Sequence, residues 1–464
     1  MKRRPYPKYK PSGVDWLGDV PVHWDAKRLK TSALCWVSNV DKVPAEDELP
    51  VRLCNYTDVY YHDHITPDMG LMETTATADE IRRFGLREGD VLITKDSEEW
   101  NDIAVPALVK ESAPDLVCGY HLAIIRPFAE ELCGDYLLRA FQSCAVNQQF
   151  QVAASGVTRY GLPKSSIGDA WLPLPPVPEQ RAIAAFLDRE TGRIDTLIAK
   201  KRELVERLKE KRTALISHTV THGLPPEAAK KAGLPVNPPL KHSGVAWLGD
   251  IPKHWYVKPV KHVARIGNGS TPNRDNPGYW EDGNYPWLNS SVVNQEVVTQ
   301  AEDFVTPLAL RECHLPKISP PAVLIGITGQ GRTRGMASTL LIEATINQHV
   351  AYLKPHQSRM EVGFLRRVFD MVYLFLRSES DGGGSTKGAI TCDQIANLKI
   401  PVPPLSEQAA IAAYLDAETA KLDTLVAKIE EAVERLQEYR TALITAAVTG
   451  KIDVRGNAIA LRHV

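Results

Sequence analysis

The chain has 464 residues, of which 24% are charged and 44% hydrophobic, and a formal net charge of -1. That length holds two to four domains of about 100 to 200 residues, and the neutral balance leaves any phosphate binding to local patches. Pro5-Tyr-Pro-Lys-Tyr-Lys10 stands where a signal peptide needs an apolar run, no stretch approaches the roughly 18 apolar residues of a membrane span, and the seven cysteines, never spaced Cys-x-x-Cys, support neither zinc ribbon nor disulfide framework. A reducing cytoplasm is the expected home.

In chain order, the first marked element is Ser12-Gly-Val-Asp-Trp-Leu-Gly-Asp19, continuing to His23-Trp24. It returns as Ser243-Gly-Val-Ala-Trp-Leu-Gly-Asp250 with His254-Trp255, a shift of 231 (243 minus 12). About 150 residues of short strands, turns and some helix follow each copy. Asp90-Val-Leu-Ile-Thr94 and Ala322-Val-Leu-Ile-Gly326 read as matching buried strands, as do His121-Leu-Ala-Ile-Ile-Arg-Pro127 and His349-Val-Ala-Tyr-Leu-Lys-Pro355. The lettering between them diverges: Asn55-Tyr-Thr-Asp-Val-Tyr-Tyr61 has no counterpart in Tyr285-Pro-Trp-Leu-Asn289.

Each variable region ends in a Pro-rich run, Pro173-Leu-Pro-Pro-Val-Pro-Glu-Gln180 or Pro401-Val-Pro-Pro-Leu-Ser-Glu-Gln408, that opens a long helical pattern. From 173 to 222, 31 of 50 positions equal their partners at a shift of 228 (401 minus 173), where ordinary composition predicts about three. The chain is a tandem duplication of two domain-sized copies, too long in period for a stacked-repeat solenoid. Leu187, Ile194, Leu208 and Leu215 fall on a seven-residue grid with Leu197 and Leu204 as companions, and Leu415, Leu422, Ile429, Leu436 and Leu443 repeat it with Leu425. That is coiled-coil spacing.

The first helix carries more cationic residues than the second, with Lys200-Lys-Arg202 standing where the second has Lys428-Ile-Glu430, so opposed charge favours pairing the two. Pairing within the chain would put the variable regions at opposite ends of an antiparallel rod; two helices packed separately on their own domains are the alternative. The expected fold is α+β, with two mixed domains in tandem and two long helices paired as an antiparallel coiled coil with pseudo-twofold symmetry. The expected boundaries are 1–172 and 240–400 for the variable domains, 173–222 and 401–450 for the helices, 223–239 for a Pro-rich linker and 451–464 for a tail.

Catalytic patterns are sparse. The sequence has no Gly-x-x-x-x-Gly-Lys-Ser/Thr loop, and Asn237-Pro-Pro-Leu240 lacks the aromatic with which a methyltransferase loop stacks on a flipped base. The loops after the shared strands are more informative. Thr328-Gly-Gln-Gly-Arg-Thr-Arg-Gly335 offers Gln330, Arg332, Thr333 and Arg334, and Thr94-Lys-Asp-Ser-Glu-Glu-Trp-Asn101 offers Lys95, Asp96, Ser97 and Trp100. Ser155-Gly-Val-Thr-Arg-Tyr160 contributes Thr158, Arg159 and Tyr160, and its aligned partner Gly383-Gly-Ser-Thr-Lys-Gly388 contributes Thr386 and Lys387. Gln pairs bidentately with adenine, Arg grips guanine or phosphate, and carboxylates accept from the cytosine amino group. Ordinary solvated turns are the alternative reading.

Together, the repeated Ser-Gly-x-x-Trp-Leu-Gly-Asp motif and the Pro-rich lead into Glu-Gln and Ile-Ala-x-x-Leu-Asp resemble the specificity subunit of type I restriction-modification systems. The resemblance covers nearly the whole chain. Asn55-Tyr-Thr-Asp-Val-Tyr60 with Thr94-Lys-Asp-Ser97 is similar to one class of its target-recognition domains, and Thr271-Pro272 with Tyr279-Trp280 and Pro286-Trp-Leu288 to another. It implies a non-catalytic reader of a split, asymmetric duplex DNA target, with the helices setting the gap between half-sites. It also implies two methylation subunits and translocating restriction subunits as partners; S-adenosylmethionine, ATP and Mg would be bound by those partners and no cofactor by this chain. A coiled-coil adaptor that binds proteins, and a stand-alone base-modifying enzyme, are the competing classes.

Overall fold

The computed structural model describes residues 4–329, 331–381 and 388–455. Two compact units emerge, one of residues 1–202 with 430–464 and one of 203–429. Two helices dominate the secondary structure, α1 (Val177–His222) and α2 (Leu405–Val448). At 1.5 Å per residue they are about 69 and 66 Å long. Each contributes one stretch to each unit.

In the first unit a five-stranded sheet runs in the order Ala33–Val37, Leu122–Pro127, Val91–Thr94, Pro106–Val109, His64–Ile65. The second unit repeats that order with Ala264–Asn268, Val350–Pro355, Ala322–Gly326, Ala337–Leu340 and Val297–Val298. In both, the last strand is a two-residue edge that pairs parallel to its neighbour, while the other ladders are antiparallel. A three-stranded sheet accompanies each: Leu49–Cys54 between Leu116–Cys118 and Met72–Ala76, and Tyr285–Leu288 between Thr345–Ile346 and Asp303–Val305. In each, the central strand has one parallel and one antiparallel neighbour.

The uninterrupted apolar runs noted in the sequence are central strands covered on both faces. Side chains alternate across a strand, so Val91 and Ile93 join the core with Tyr136, Leu137 and the long helices, while Leu92 joins a second core with Leu53 and Val117. Val323 and Ile325 face Phe364 and Leu415 in the same way, and Leu324 faces Leu288 and Ile346.

The repeated motifs are the joints of this frame. Gln180 at the start of α1 donates to the carbonyls of Glu131 and Pro175, both at 2.8 Å, and accepts from the Cys133 amide at 2.8 Å. Gln408 does the same for Arg359, Pro403 and Glu361. Glu179 accepts from Tyr6 at 2.6 Å with His23 Nε2 at 2.8 Å, whereas Glu407 accepts from Trp255 Nε1 at 2.7 Å with His254 Nε2 at 2.7 Å. About two turns further along each helix, Asp188 and Asp416 each take two N–H bonds from a buried arginine, Arg139 (2.9 and 2.7 Å) and Arg367 (3.1 and 2.6 Å). Charge-assisted pairs of this kind offset the desolvation of a guanidinium only when, as here, its donors are satisfied.

Each long helix ends where the next opening motif begins. Gly450 holds a φ of +70° against Pro21, and a Cβ there would lie 2.4 Å from the proline ring. Beyond it Tyr9 donates to the Gly450 carbonyl at 2.9 Å and Lys451 to the Asp19 carbonyl at 2.7 Å. In the second unit Gly223, φ +87°, occupies the matching place beside Trp255. The Pro-rich segment that follows folds a short helix, Pro226–Lys231, with Ala229 buried.

Within each unit the two helices run antiparallel. In the second, Arg212 lies 3.0 Å from Asp423, and Val205, Leu208 and Ile429 form one cluster with Leu422 and Val426. In the first, Arg440 pairs with Asp195, and Leu187, Ile194, Ile198, Val433 and Leu443 lie in one core with Leu436 against it. Leu415 is in the core of the second unit, with Leu215 packed on it. Three expected seam residues are corrected: Leu197, Leu204 and Leu425 are 43 to 45% exposed. Ile198, Val205, Val426 and Val433 point inward instead, because the second seam position lies four residues after the grid position rather than three. Both spacings satisfy a heptad. The ion pairs also differ from the expectation of one cationic and one anionic helix, since each helix supplies one Arg and one Asp.

Candidate nucleic-acid interface

In the first unit the strand Val91–Thr94 delivers Lys95 to a surface where Asp96–Ser97 pairs antiparallel with Tyr160–Gly161. Two candidate segments more than 60 residues apart thus form one strand pair, with Tyr160 opposite Ser97. The loop before it is closed by reciprocal backbone bonds between Ser155 and Gly161 (3.1 and 2.9 Å), which leaves Thr158 and Arg159 exposed at its tip. Gly156 makes this closure possible: at φ +151° a Cβ would lie 1.9 Å from the Arg159 carbonyl oxygen.

Asp96 organises the surface beneath the tip. Lys95 Nζ lies 3.0 Å from it and His121 Nδ1 2.5 Å, so the carboxylate already has two cationic or donor partners. Trp100 projects from the following turn, half exposed. The helix Tyr56–Tyr61 also converges here, a segment to which the sequence pattern alone assigns no contact. Tyr56 stacks on Tyr60 at 5.6 Å, and Tyr60 donates to Asp102 at 2.6 Å. That bond, with some burial and the Asp102 charge, pushes the Tyr60 phenol up to about 12. Burial and Asp102 raise Tyr56 as well, against the opposing pull of Ser97 and Arg159.

The second unit builds the equivalent place differently. Thr328 follows the strand Ala322–Gly326 and bridges to Ala389, as Ser97 and Asp96 do to Tyr160 and Gly161. His349 Nδ1 lies 2.8 Å from the Thr328 hydroxyl, and Gln348 links His349 to Thr271. The loop is tied to the helix Tyr373–Asp381, with Tyr373 donating to the Arg332 carbonyl (2.9 Å) and Arg377 to the Gly331 carbonyl (2.6 Å). Arg332 is exposed and Thr333 half-buried. Arg334 is corrected: it is 3% exposed and turned into the protein, out of reach of a duplex on the surface. Gln330, Thr386 and Lys387 lie outside the described residues. Exposed Arg274 lies 3.8 Å over half-buried Trp280 and 4.9 Å from buried Trp287.

The two places share strand positions and histidines but present different side chains: a Lys-Asp-His-Tyr set in one, a Thr-Gln-His-Arg set in the other. Residues 252–435 match the model of the type I restriction modification DNA specificity domain. Over nearly its whole length the chain is similar to specificity subunits of type I restriction-modification systems. Among the relatives, one named as the type I restriction enzyme MjaX specificity subunit of Methanocaldococcus jannaschii is 22% identical over 444 residues, 95% of this chain and 96% of the relative. The EcoR124I/EcoR124II specificity subunit of Escherichia coli is 28% identical over 204 residues, 43% of this chain and 46% of that protein. Solved structures share the fold. A chain from a type I R-M system, solved to explain its complex assembly and conformational transition, superimposes with a TM-score of 0.68 at 21% identity, covering 93% of this chain and 99% of that one. The HsdS subunit from Thermoanaerobacter tengcongensis gives 0.53 at 19%, covering 93% and 98%.

Proposed function

We propose that this chain is a specificity subunit that reads a bipartite, asymmetric DNA sequence, one half through each unit, and holds the catalytic subunits on the target. The observation that carries the reading is the pairing of retained frame with replaced surface. The joints at Gln180 and Gln408, and at Asp188 and Asp416, are the same to the atom, while the loops at Ser97 and Thr328 carry different donors and acceptors. A protein-binding adaptor would have no need of two unlike surfaces at matched positions. Exposed Arg159 and Arg332 suit phosphate or guanine, and the remaining polar side chains suit base edges.

In this reading two methylation subunits dock on the frame and supply the adenine methyl transfer with their own S-adenosylmethionine. Restriction subunits bring ATP, Mg and the nuclease, and the assembly works in the cytoplasm, where the chromosome lies. The helix pair sets the gap between half-sites, which on one face of a duplex recur about every 34 Å. The test is a gel shift of the full chain, with and without a type I methylation subunit from the same host, on a pool of randomised duplexes. Enrichment of two short motifs at fixed separation is expected. Protein–protein association with no duplex retained by either sample would favour the adaptor.

A further inference from the structure

Among the described residues, each unit has a carboxylate beside the edge strand of its sheet that touches both an arginine of a short helix, Gly134–Phe141 or Val362–Met371, and an arginine of a long helix. In the first unit it is Asp63, immediately before the edge strand His64–Ile65. Its Oδ2 lies 3.3 Å from Arg139 Nη1 and 3.6 Å from Arg440 Nη2 on α2, and its Oδ1 accepts from Gln142 at 2.9 Å. In the second unit it is Glu296, immediately before the edge strand Val297–Val298. Its Oε1 accepts from Arg366 at 3.0 Å and lies 3.4 Å from Arg212 Nη2 on α1.

The sequence around these residues differs, and they do not align at the 228 shift, since 63 plus 228 is 291 and Ser291 stands there. The two edge strands are nonetheless the same strand of the same sheet, each pairing parallel to its neighbour. The helix arginines reached from them, Arg440 and Arg212, do align at 228. Burial alone would raise the Glu296 carboxyl; Arg366, Arg367 and Arg212 outweigh it and hold it below the usual carboxylate range. The sequence between copies was rewritten, yet a carboxylate stands where the sheet edge meets the helix pair in both.

We infer that Asp63 and Glu296 are positioning residues that fix the angle of each recognition sheet on the helix pair, and thereby set how strictly the gap between DNA half-sites is measured. This rests on the bipartite-reading function proposed above. Neither carboxylate reads a base in this scheme, so removing its charge leaves half-site preference intact. What loosens is the rotation of the sheet about its helix contacts. A duplex whose half-sites are one base pair too close or too far is then met by a sheet that swings to follow it.

The test is the full chain with its methylation subunit, carrying Asp63→Asn, Glu296→Gln or both, assayed on duplexes with the native gap and with one base pair added or removed. Discrimination against the altered gap should fall by about three- to fivefold per site, the scale of one partly exposed ion pair, and Asp63→Glu should restore part of it. Spin labels placed on Tyr61 and Glu434, both exposed and both in the first unit, should show a broadened distance distribution in Asp63→Asn with unchanged melting. Full gap discrimination in the double variant, with a distance distribution as narrow as the wild type, would overturn the inference. A wild-type complex with no gap preference at all would instead count against bipartite reading.

Discussion

Arg440 on α2 donates through Nε to Asp195 on α1 at 2.9 Å, and Asp195 plus 228 is Asp423, the partner of Arg212, which plus 228 is Arg440. The same ion pair is therefore made twice with the roles of the helices exchanged. Two identical helix patterns running antiparallel bring position 195 of one copy to position 212 of the other in both units. The duplication thus specifies its own pairing partner.

These pairs are half exposed, so each is worth about 0.5 to 1 kcal/mol. Asp195→Ala and Asp423→Ala share no partner, and their effects should add to within about 0.5 kcal/mol. Urea denaturation of the two single variants and the double variant measures this; a double variant far less stable than the sum would mean that one pair depends on the other.

Asp188→Ala should cost more, about 3 kcal/mol, because Arg139 is 3% exposed and loses both of its short bonds to that carboxylate. The same denaturation series ranks it against Asp195→Ala, which leaves a partner that water can reach. Equal costs would show that Arg139 rehydrates.

Arg159→Ala and Arg332→Ala should each weaken binding to one half-site by about 1 to 3 kcal/mol if they touch bases. Arg334→Ala should lower stability instead, because its side chain is interior. Binding to duplexes altered in one half at a time distinguishes these outcomes; a uniform loss on every sequence would mark Arg159 or Arg332 as phosphate contacts.

Tyr60 should ionise near pH 12 rather than 10. A raised folded pKa means stability fully present below pH 10 and lost as pH climbs through 12, since the unfolded phenol gives up its proton first. Spectrophotometric titration of the wild type against Tyr60→Phe should remove one late-appearing phenolate. Removal of one that appears near pH 10 would place the Tyr60–Asp102 bond outside the solution structure.

The frame was legible because its information is local and repeated: the apolar runs at Val91 and Ala322 and the Glu-Gln pairs stand in both copies. The seam was half legible, since a heptad grid names Ile194 and Ile429 but does not choose between Leu197 and Ile198. The loops at Lys95 and Arg159 could be found beside shared strands. Their convergence with Tyr56, Tyr60 and Asp102 could not, because nothing local links a helix near residue 56 to a turn near 102. Arg334 was misread because a cation in a Gly-rich loop reads as exposed, whereas the ties from Tyr373 and Arg377 fold that loop inward. Asp63 and Glu296 escaped notice because they match in the sheet and not in the alignment.

Sequencing of methylated bases in a host carrying this chain with its methylation subunit tests the central claim most directly, above all when repeated with Arg332→Ala. The account predicts a motif of two unlike halves separated by a fixed, unread gap, with relaxation of one half alone in the variant. An uninterrupted motif, or two halves that relax together, would contradict it.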